Sequence, residues 1–450
     1  MKKFVTPFLM AVLLSGCSLV PEFHLPGTNS PAAFSSGVSE ETRIAADWWQ
    51  SFDSEELNGL MVQALAQNND LRASVQRVEQ SRAALRVAGA SLLPTADASA
   101  SKSRVYNNPG NANNSWRGGA GVSYELDLFG ANRAGVEAAD AQLKGSQYDH
   151  DALALVVMGD VAKGYFNLLN LRQRTTIAES NLKTTRDVLN IVEARFKAGA
   201  SSELEVAQQK TSLASNESTL ASIQQQVSVA ENALAVLLGQ PPQTLPVEGD
   251  NLKAVNVPVI APGQPSTLLE RRPDIRSSEA GLVAANANIG AARAAFFPSI
   301  SLGVDAAIAG DPISRSLSLA GSLVAPIFEG GRLEGNLEST KARRAELVEN
   351  YHKTVLVSFQ EVEDALSAAK AAQARERALA EAQTQAQKSY DLSLQLYKAG
   401  SIDFQTLLNT QTALLSAQDS YASVKLGMLN AAVDLYKALG GGWDSGTSPG

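Results

Sequence analysis

Val206, Leu213, Leu220, Val227 and Leu234 recur at strict seven-residue spacing through a stretch, Val206 to Leu238, that holds no proline and no internal glycine. A heptad seam of this kind lies on a helix and favours left-handed coiling against a partner. Leu407, Leu414, Tyr421, Met428 and Leu435 keep the same spacing, each 201 residues after its counterpart. The chain therefore carries one long helical element twice, and any fold it adopts must accommodate two copies of it.

The duplication reaches beyond that helix. Asn-Asp-Leu-Arg at Asn69 answers Pro-Asp-Ile-Arg at Pro273, and Leu-Leu-Pro ending at Pro94 answers Phe-Phe-Pro ending at Pro298. Leu-Phe-Gly at Leu128 answers Ile-Phe-Glu-Gly at Ile327, Phe-Lys-Ala-Gly at Phe196 answers Tyr-Lys-Ala-Gly at Tyr397, and Leu-Gly closes each copy at Leu238 and Leu439. Small changes of offset between matched segments read as loop-length differences. Proline separates the elements: none occurs from Gly110 to Gln240 or from Ile327 to Ser448, whereas seven of the seventeen fall between Pro241 and Pro273. Such runs permit very long helices, and Arg133 to Ala198 alone would reach roughly 100 Å at about 1.5 Å per residue.

Between the shorter and longer helices of each copy the period changes to two. Ala120, Val122, Tyr124, Leu126 and Leu128 alternate with Gly121, Ser123, Glu125 and Asp127, and Ile300, Leu302, Val304, Ala306 and Ile308 alternate with mostly polar or small neighbours. Leu317, Leu319, Gly321, Leu323 and Ala325 form another such run, and Ala96, Ala98 and Ala100 a weaker one. Each copy thus supplies a hairpin with one apolar face, about four strands near the length of a tilted transmembrane strand. Polar tips, Asn107 to Asn111 and Gly310 to Pro312, suit surface loops.

The first residues decide which solvent those strands meet. Lys2 and Lys3 precede an apolar run from Phe4 to Leu14, which ends in Leu14-Ser15-Gly16-Cys17, and Cys17 is the single cysteine. The run is an export signal, too short to span a bilayer, and the lone cysteine of an exported chain forms no internal disulfide. The tetrapeptide resembles a bacterial lipobox, which implies acylation of Cys17; Ser18 after it fits sorting to a Gram-negative outer membrane. No later segment reads as apolar for the ~20 residues of a transmembrane helix, so spanning would fall to strands. Four strands cannot close a barrel, and open edges in lipid are costly. Three chains would supply twelve.

Domain organisation follows. Residues 1–16 form the signal peptide, 17–53 a lipid-anchored leader, and 54–240 the first repeat, with a hairpin at about 94–129 and long helices at about 133–239. Residues 241–272 form a proline-rich inter-repeat segment, 273–440 the second repeat, with a hairpin at about 298–328 and long helices at about 332–439, and 441–450 a tail. Trp48 and Trp49 open the first short helix and read as packing of the leader onto the body. Leu71, Val75, Val78, Leu85 and Ala88 mark the apolar side of a helix that stops near Pro94.

Together the lipobox, Asp47-Trp48-Trp49, the Leu268 to Arg276 run, Phe-Phe-Pro-Ser-Ile at Phe296, Pro-Ile-Phe-Glu-Gly-Gly-Arg at Pro326 and the paired Lys-Ala-Gly turns resemble the outer membrane factors, in the lipoprotein (NodT-type) branch of TolC/OprM-like efflux ducts. The resemblance covers about Cys17 to Gly440. It implies an α+β membrane protein: a homotrimeric twelve-stranded β-barrel in the outer membrane, a long periplasmic α-helical barrel and an equatorial mixed domain. It implies partners as well, a periplasmic adaptor and an inner-membrane pump of the RND type. Carried over by position, the adaptor-contact turns are Lys197, Ala198, Gly199, Ala200 and Ser201, and Lys398, Ala399, Gly400 and Ser401. Family ducts carry inward acidic side chains where this chain has Thr406 and Asn409, with Gln405 and Thr412 nearby and Asp403 the nearest acid. A neutral polar periplasmic gate is therefore expected.

No enzyme signal competes. His24, His150 and His352 are isolated, which argues against a metal site, and Gly118-Gly119-Ala120-Gly121 lacks the lysine and helix of a phosphate loop. A net charge of −8 gives no footprint for nucleic acid. The expected role is the passive exit duct of a tripartite efflux system for drugs or small toxic solutes, with no cofactor. A type I protein or peptide secretion duct, a lipid-anchored adaptor and a structural coiled-coil lipoprotein are the alternatives.

Overall fold

The computed structural model describes residues 18–35, 44–107, 111–245, 247–310, 313–441 and 443. Cys17 and the signal lie outside the described residues, as do Asn108 to Gly110 and Asp311–Pro312 of the expected hairpin tips. A 3-10 turn at Trp48–Phe52 precedes α1 (Glu55–Gln67) and α2 (Asn69–Ala90), strands β1 (Thr95–Asn107) and β2 (Asn111–Leu126), and helices α3 (Ala131–Lys197) and α4 (Glu203–Leu237). After a helical turn at Leu268–Arg271 the order repeats: α5 (Pro273–Ala294), β3 (Ser299–Ala309), β4 (Ser314–Val324), α6 (Arg332–Lys398) and α7 (Phe404–Ala438). The copies agree in length: 22 residues in α2 and α5, 67 in α3 and α6, 35 in α4 and α7.

The chain divides into two compact units. The first comprises Met1–Thr28, Ser74–Asp149 and Asp274–Thr354. It holds an antiparallel sheet in the order β1-β2-β3-β4, so the two hairpins pair side by side through β2 and β3, with Gly121 opposite Asp97 on one side and Asp305 on the other. The apolar face of this sheet is open: Leu317 is 78% and Leu319 83% exposed. Helices in this unit pack through small residues, among them Ala138, Ala141, Ala284, Ala287 and Ala292, which let backbones approach closely. The leader lies on α5: Asn286 Nδ2 donates to the Pro21 carbonyl (2.7 Å), Arg293 Nη1 donates to that of Leu19 (3.3 Å), and Val20 occupies the space that a side chain at Gly290 would need.

The second unit comprises Asn29–Ala73, His150–Pro273 and Val355–Gly450. Its core is built around Phe52, Leu57, Met61, Phe166 and Leu168, all fully buried, each stabilising by about 1.5–3 kcal/mol relative to exposure. Trp48 stacks on Tyr436 at 5.0 Å between ring centroids, so the tryptophan pair does pack the leader onto this core. One stretch of α3 is long and apolar enough to cross a membrane by length and composition, contrary to the sequence expectation. Its side chains explain the pattern: Leu155, Val157, Met158, Val161, Ala162, Tyr165 and Phe166 all belong to this core. Val75, expected on the apolar side of α2, is also exposed in the single chain.

The repeat holds at atomic detail. Gly239 and Gly440 each end a closing helix with positive φ, +67° and +89°. Beside them Asn68 and Arg272, both buried, donate to the carbonyls of Leu237 (2.8 Å) and Ala438 (3.1 Å). Different side chains thus satisfy the same terminal carbonyl in each copy.

Candidate functional site

Both long helix pairs reverse at a glycine. Gly199, at φ +73°, donates its N–H to the Phe196 carbonyl (2.9 Å) while Ala200 donates to Arg195 (2.8 Å); Gly400, at φ +75°, donates to Tyr397 (3.0 Å) while Ser401 donates to Leu396 (2.9 Å). These paired bonds satisfy the last carbonyls of each helix and need a left-handed residue at the reversal. The returning helices are capped in turn. Ser202 Oγ accepts from the Glu205 N–H (3.3 Å), and the Asp403 carboxylate accepts from that of Thr406 (2.7 Å).

At the expected adaptor-contact turns, Lys197, Ala198, Gly199, Ala200, Lys398, Ala399, Gly400 and Ser401 are exposed. Ser201 is half-buried and donates to Glu205 Oε2 (2.7 Å). Behind the turns Val188, Val192, Tyr390, Tyr397, Phe404, Leu407 and Leu414 form a separate apolar cluster, so the second heptad seam is filled from its first residue. Of the gate candidates, Gln405, Thr406, Asn409 and Thr412 are exposed on the side of α7 away from Leu407 and Leu414. Gln405 Nε2 donates to Asn409 Oδ1 (2.9 Å), and Thr412 Oγ1 donates to the Leu408 carbonyl (2.9 Å). Asp403 is the helix cap, and hydrogen bonds from Thr406 hold its carboxyl below the ordinary 3.8.

Sequence reading missed a link between the two helical hairpins. The Arg195 guanidinium lies 4.6 Å from the Tyr397 ring centroid, and its Nη1 donates to the Tyr397 carbonyl (2.8 Å). The Tyr397 hydroxyl donates to Glu205 Oε2 (2.8 Å). Arg195 and Glu205 belong to the first copy and Tyr397 to the second. A signal was available, because these are places where the copies differ: Leu396 answers Arg195, Phe196 answers Tyr397 and Thr406 answers Glu205. Farther along, Gln209 Nε2 donates to the Thr185 carbonyl (2.9 Å), while Asn216 Nδ2 (2.8 Å) and Gln411 Nε2 (3.1 Å) both donate to Thr185 Oγ1. Arg174 binds Asp419 through two bonds of 2.6 and 3.1 Å. The buried layer of Thr185, Gln209 and Gln411 fixes axial register between helices, because a slip would leave its groups unpaired, while the Arg174–Asp419 pair is half-exposed.

Burial raises the Glu205 carboxyl, but hydrogen bonds from Ser201, Tyr397 and Ser202 outweigh it and hold the group below the ordinary 4.5. Burial and the Glu205 charge raise the Tyr397 hydroxyl above 10. A carboxyl depressed on folding stabilises fully above its unfolded pKa and loses that contribution as pH falls through the folded one. The link is therefore expected to persist at neutral pH and to be lost in acid below 4.5. Amide hydrogen exchange at Leu204 to Gln208, followed from pH 7 to 3 after correction for the intrinsic rate, should show protection falling in that acid window, and no such loss in a Glu205→Gln protein.

The sequence model described as outer membrane efflux protein matches residues 60–240 and 264–441. The pyoverdine export outer membrane protein OpmQ of Pseudomonas aeruginosa is 36% identical, over 96% of this chain and 96% of its own length. The cation efflux system protein CusC of Escherichia coli is 31% identical, over 97% and 98%. Among solved structures, the Campylobacter jejuni CmeC outer membrane channel superposes with a TM-score of 0.87 at 29% identity, covering 95% of this chain and 96% of that one. A chain with four antiparallel strands among the described residues, long duplicated helices and end-to-end similarity to these proteins belongs to the outer membrane efflux protein family, and it is an α+β efflux duct of the Gram-negative outer membrane that extends into the periplasm.

Proposed function

We propose that three copies of this chain close one duct, the passive exit component of a tripartite efflux system fed by an inner-membrane pump through a periplasmic adaptor. One observation carries the reading: the sheet of an outer-membrane chain has an exposed apolar face, and β1 and β4 each pair on one side only among the described residues. In lipid every such edge must be paired, and joining β1 of one copy to β4 of the next does so without new sequence. Twelve strands exceed the roughly eight whose side chains fill a barrel, which suits a wet lumen lined by the serine-bearing face. The protein purified from outer membranes should have the mass of a trimer and conduct ions in planar bilayers. A monomer without conductance would overturn the reading.

The exposed turns around Gly199 and Gly400 are the surface offered to the adaptor, and the link from Arg195 through Tyr397 to Glu205 holds the two hairpins of a subunit together while the periplasmic mouth is shut. Gln405, Thr406, Asn409 and Thr412 line that mouth as a neutral constriction. Asn409→Asp, which places three carboxylates around the axis, is expected to increase cation preference about two- to fivefold, at roughly 1 kcal/mol of Coulomb energy per charge pair near a wet pore. Reversal potentials in a salt gradient measure this, and an unchanged value would remove Asn409 from the lining. Cargo is a small solute selected by the pump: one relative is named for pyoverdine and another for cations, on ducts of similar length. Acylation of Cys17 fits the leader's seat on α5, which holds Leu19 beside Arg293 near the start of β3.

A further inference from the structure

The seven charged residues of the four strands are sorted by face. Cross-strand partners share a face, and alternate residues along a strand do too. Asp97 pairs with Gly121 and Gly121 with Asp305, which puts Asp97, Asp305, Glu125 and Arg117 on the serine-bearing side. Lys102 pairs with Trp116, and Ile308 with both Gly118 and Arg315. Lys102, Arg104 and Arg315 therefore share the opposite side with Val122, Val304 and Leu319, and no strand acid lies there.

Their height is as selective as their face. Ile300 to Ile308 spans about 27 Å along the strand at about 3.4 Å per residue, and tilting by roughly 40° brings this close to the height of a lipid-facing band. Arg315 sits in the last row of that band, Lys102 and Trp116 one row beyond it, and Arg104 beyond those. At the other end the same face carries Ala96, Leu126, Ile300 and Leu323, with no cation. The cation end is the hairpin end; the opposite strand ends lead into α3 and α6, so the hairpins face outward. All three cations and Trp116 are exposed.

We propose that Lys102, Arg104 and Arg315, with the Trp116 indole, form a rim that binds the phosphate groups of the phosphorylated glycolipid of the outer leaflet, the lipid A part of lipopolysaccharide. This rests on the reading that the apolar sheet face meets lipid. A guanidinium and an ammonium give charge-assisted hydrogen bonds to phosphate, an interfacial indole packs on the adjoining acyl and sugar carbons, and segregation of every strand acid to the opposite face removes repulsion. Closure of the barrel would repeat the rim three times, once per copy.

The test uses the full-length protein purified from outer membranes in mild detergent, with native mass spectrometry of added lipid A, bisphosphorylated or enzymatically dephosphorylated. At about fivefold per interfacial cation, wild type is expected to retain the bisphosphorylated lipid at least about tenfold better. Lys102→Gln/Arg104→Gln/Arg315→Gln should erase the preference, and Arg117→Gln, on the other face, should keep it. If the triple variant does not assemble, Lys102→Gln and Arg315→Gln singly should each weaken it by about three- to fivefold. Equal retention of the two lipids by a conducting wild-type trimer, or an equal loss in Arg117→Gln, would overturn the rim and leave the duct intact. Failure of the wild type to conduct would instead count against the duct.

Discussion

Tyr397→Phe is expected to raise the fraction of time that the purified channel spends open in planar bilayers by about tenfold or more. The hydroxyl is what the second hairpin gives to Glu205, and a hydrogen bond to an ionised carboxylate contributes about 1.5–3 kcal/mol, or roughly 10- to 100-fold in an equilibrium. Phenylalanine preserves the rest of the site. The ring stays in its cluster with Phe404 and Leu407, the Arg195 guanidinium keeps its aromatic face, and the bond from Arg195 to the backbone carbonyl of residue 397 needs no hydroxyl. Glu205 would still accept from Ser201, so the carboxylate is not left unpaired. Glu205→Gln should produce a smaller rise, because a neutral amide can still accept from the tyrosine. Recordings indistinguishable from wild type for Tyr397→Phe, with the trimer intact, would show that the contact splices the hairpins without restraining the mouth.

The periods of the sequence carried the architecture further than its residue types did. Heptads at Val206 and Leu407, the alternation at Ala120 and Ile300, and the proline-free runs correspond to α4, α7, β2, β3 and the two 67-residue helices, because each pattern reflects a backbone repeat that tertiary packing cannot change. Local hydropathy was weaker evidence. The apolar stretch of α3 around Leu155 to Phe166 reads differently once Phe52, Leu57 and Leu429 are known to cover it, and those residues come from distant parts of the chain. Val75 shows the converse: its helical period is apolar, yet it remains 44% exposed within one subunit. At the hairpins, Gly199 and Gly400 were legible because a reversal needs a left-handed residue. Arg195, Tyr397 and Glu205 were not, because each is ordinary in its own helix and acquires a role only when residues about two hundred apart meet. Asp403 was legible as the acid nearest the second reversal, whereas its hydrogen bond as the cap of α7 shows only in the fold.

Gly239→Ala and Gly440→Ala should each remove stability on the scale of about 2–5 kcal/mol, and should do so far from the hairpin ends. Two costs act together. A left-handed backbone costs a residue with a Cβ about 1–2 kcal/mol, and forcing an extra carbon into a filled site adds about 1–3 kcal/mol more. The space is closed by backbone that cannot rotate away: a Cβ at Gly239 would lie 2.2 Å from the Gln67 carbonyl oxygen, and one at Gly440 2.5 Å from that of Arg271. Gly199, whose φ is also positive but which has no atom within 4 Å of that position, supplies the control; alanine there should cost the conformational part alone. The comparison is readable from the temperature at which the purified oligomer dissociates, with a much larger drop for residues 239 and 440 than for 199. Because Gln67 and Arg271 stand immediately before Asn68 and Arg272, which hold the last carbonyls of the same closing helices, the two glycines mark where each repeat is fastened back onto its own beginning. If alanine at 239 were harmless while alanine at 199 were not, the close packing of that fastening would not be a source of the subunit's stability, and its duplication would reflect ancestry without present mechanical need.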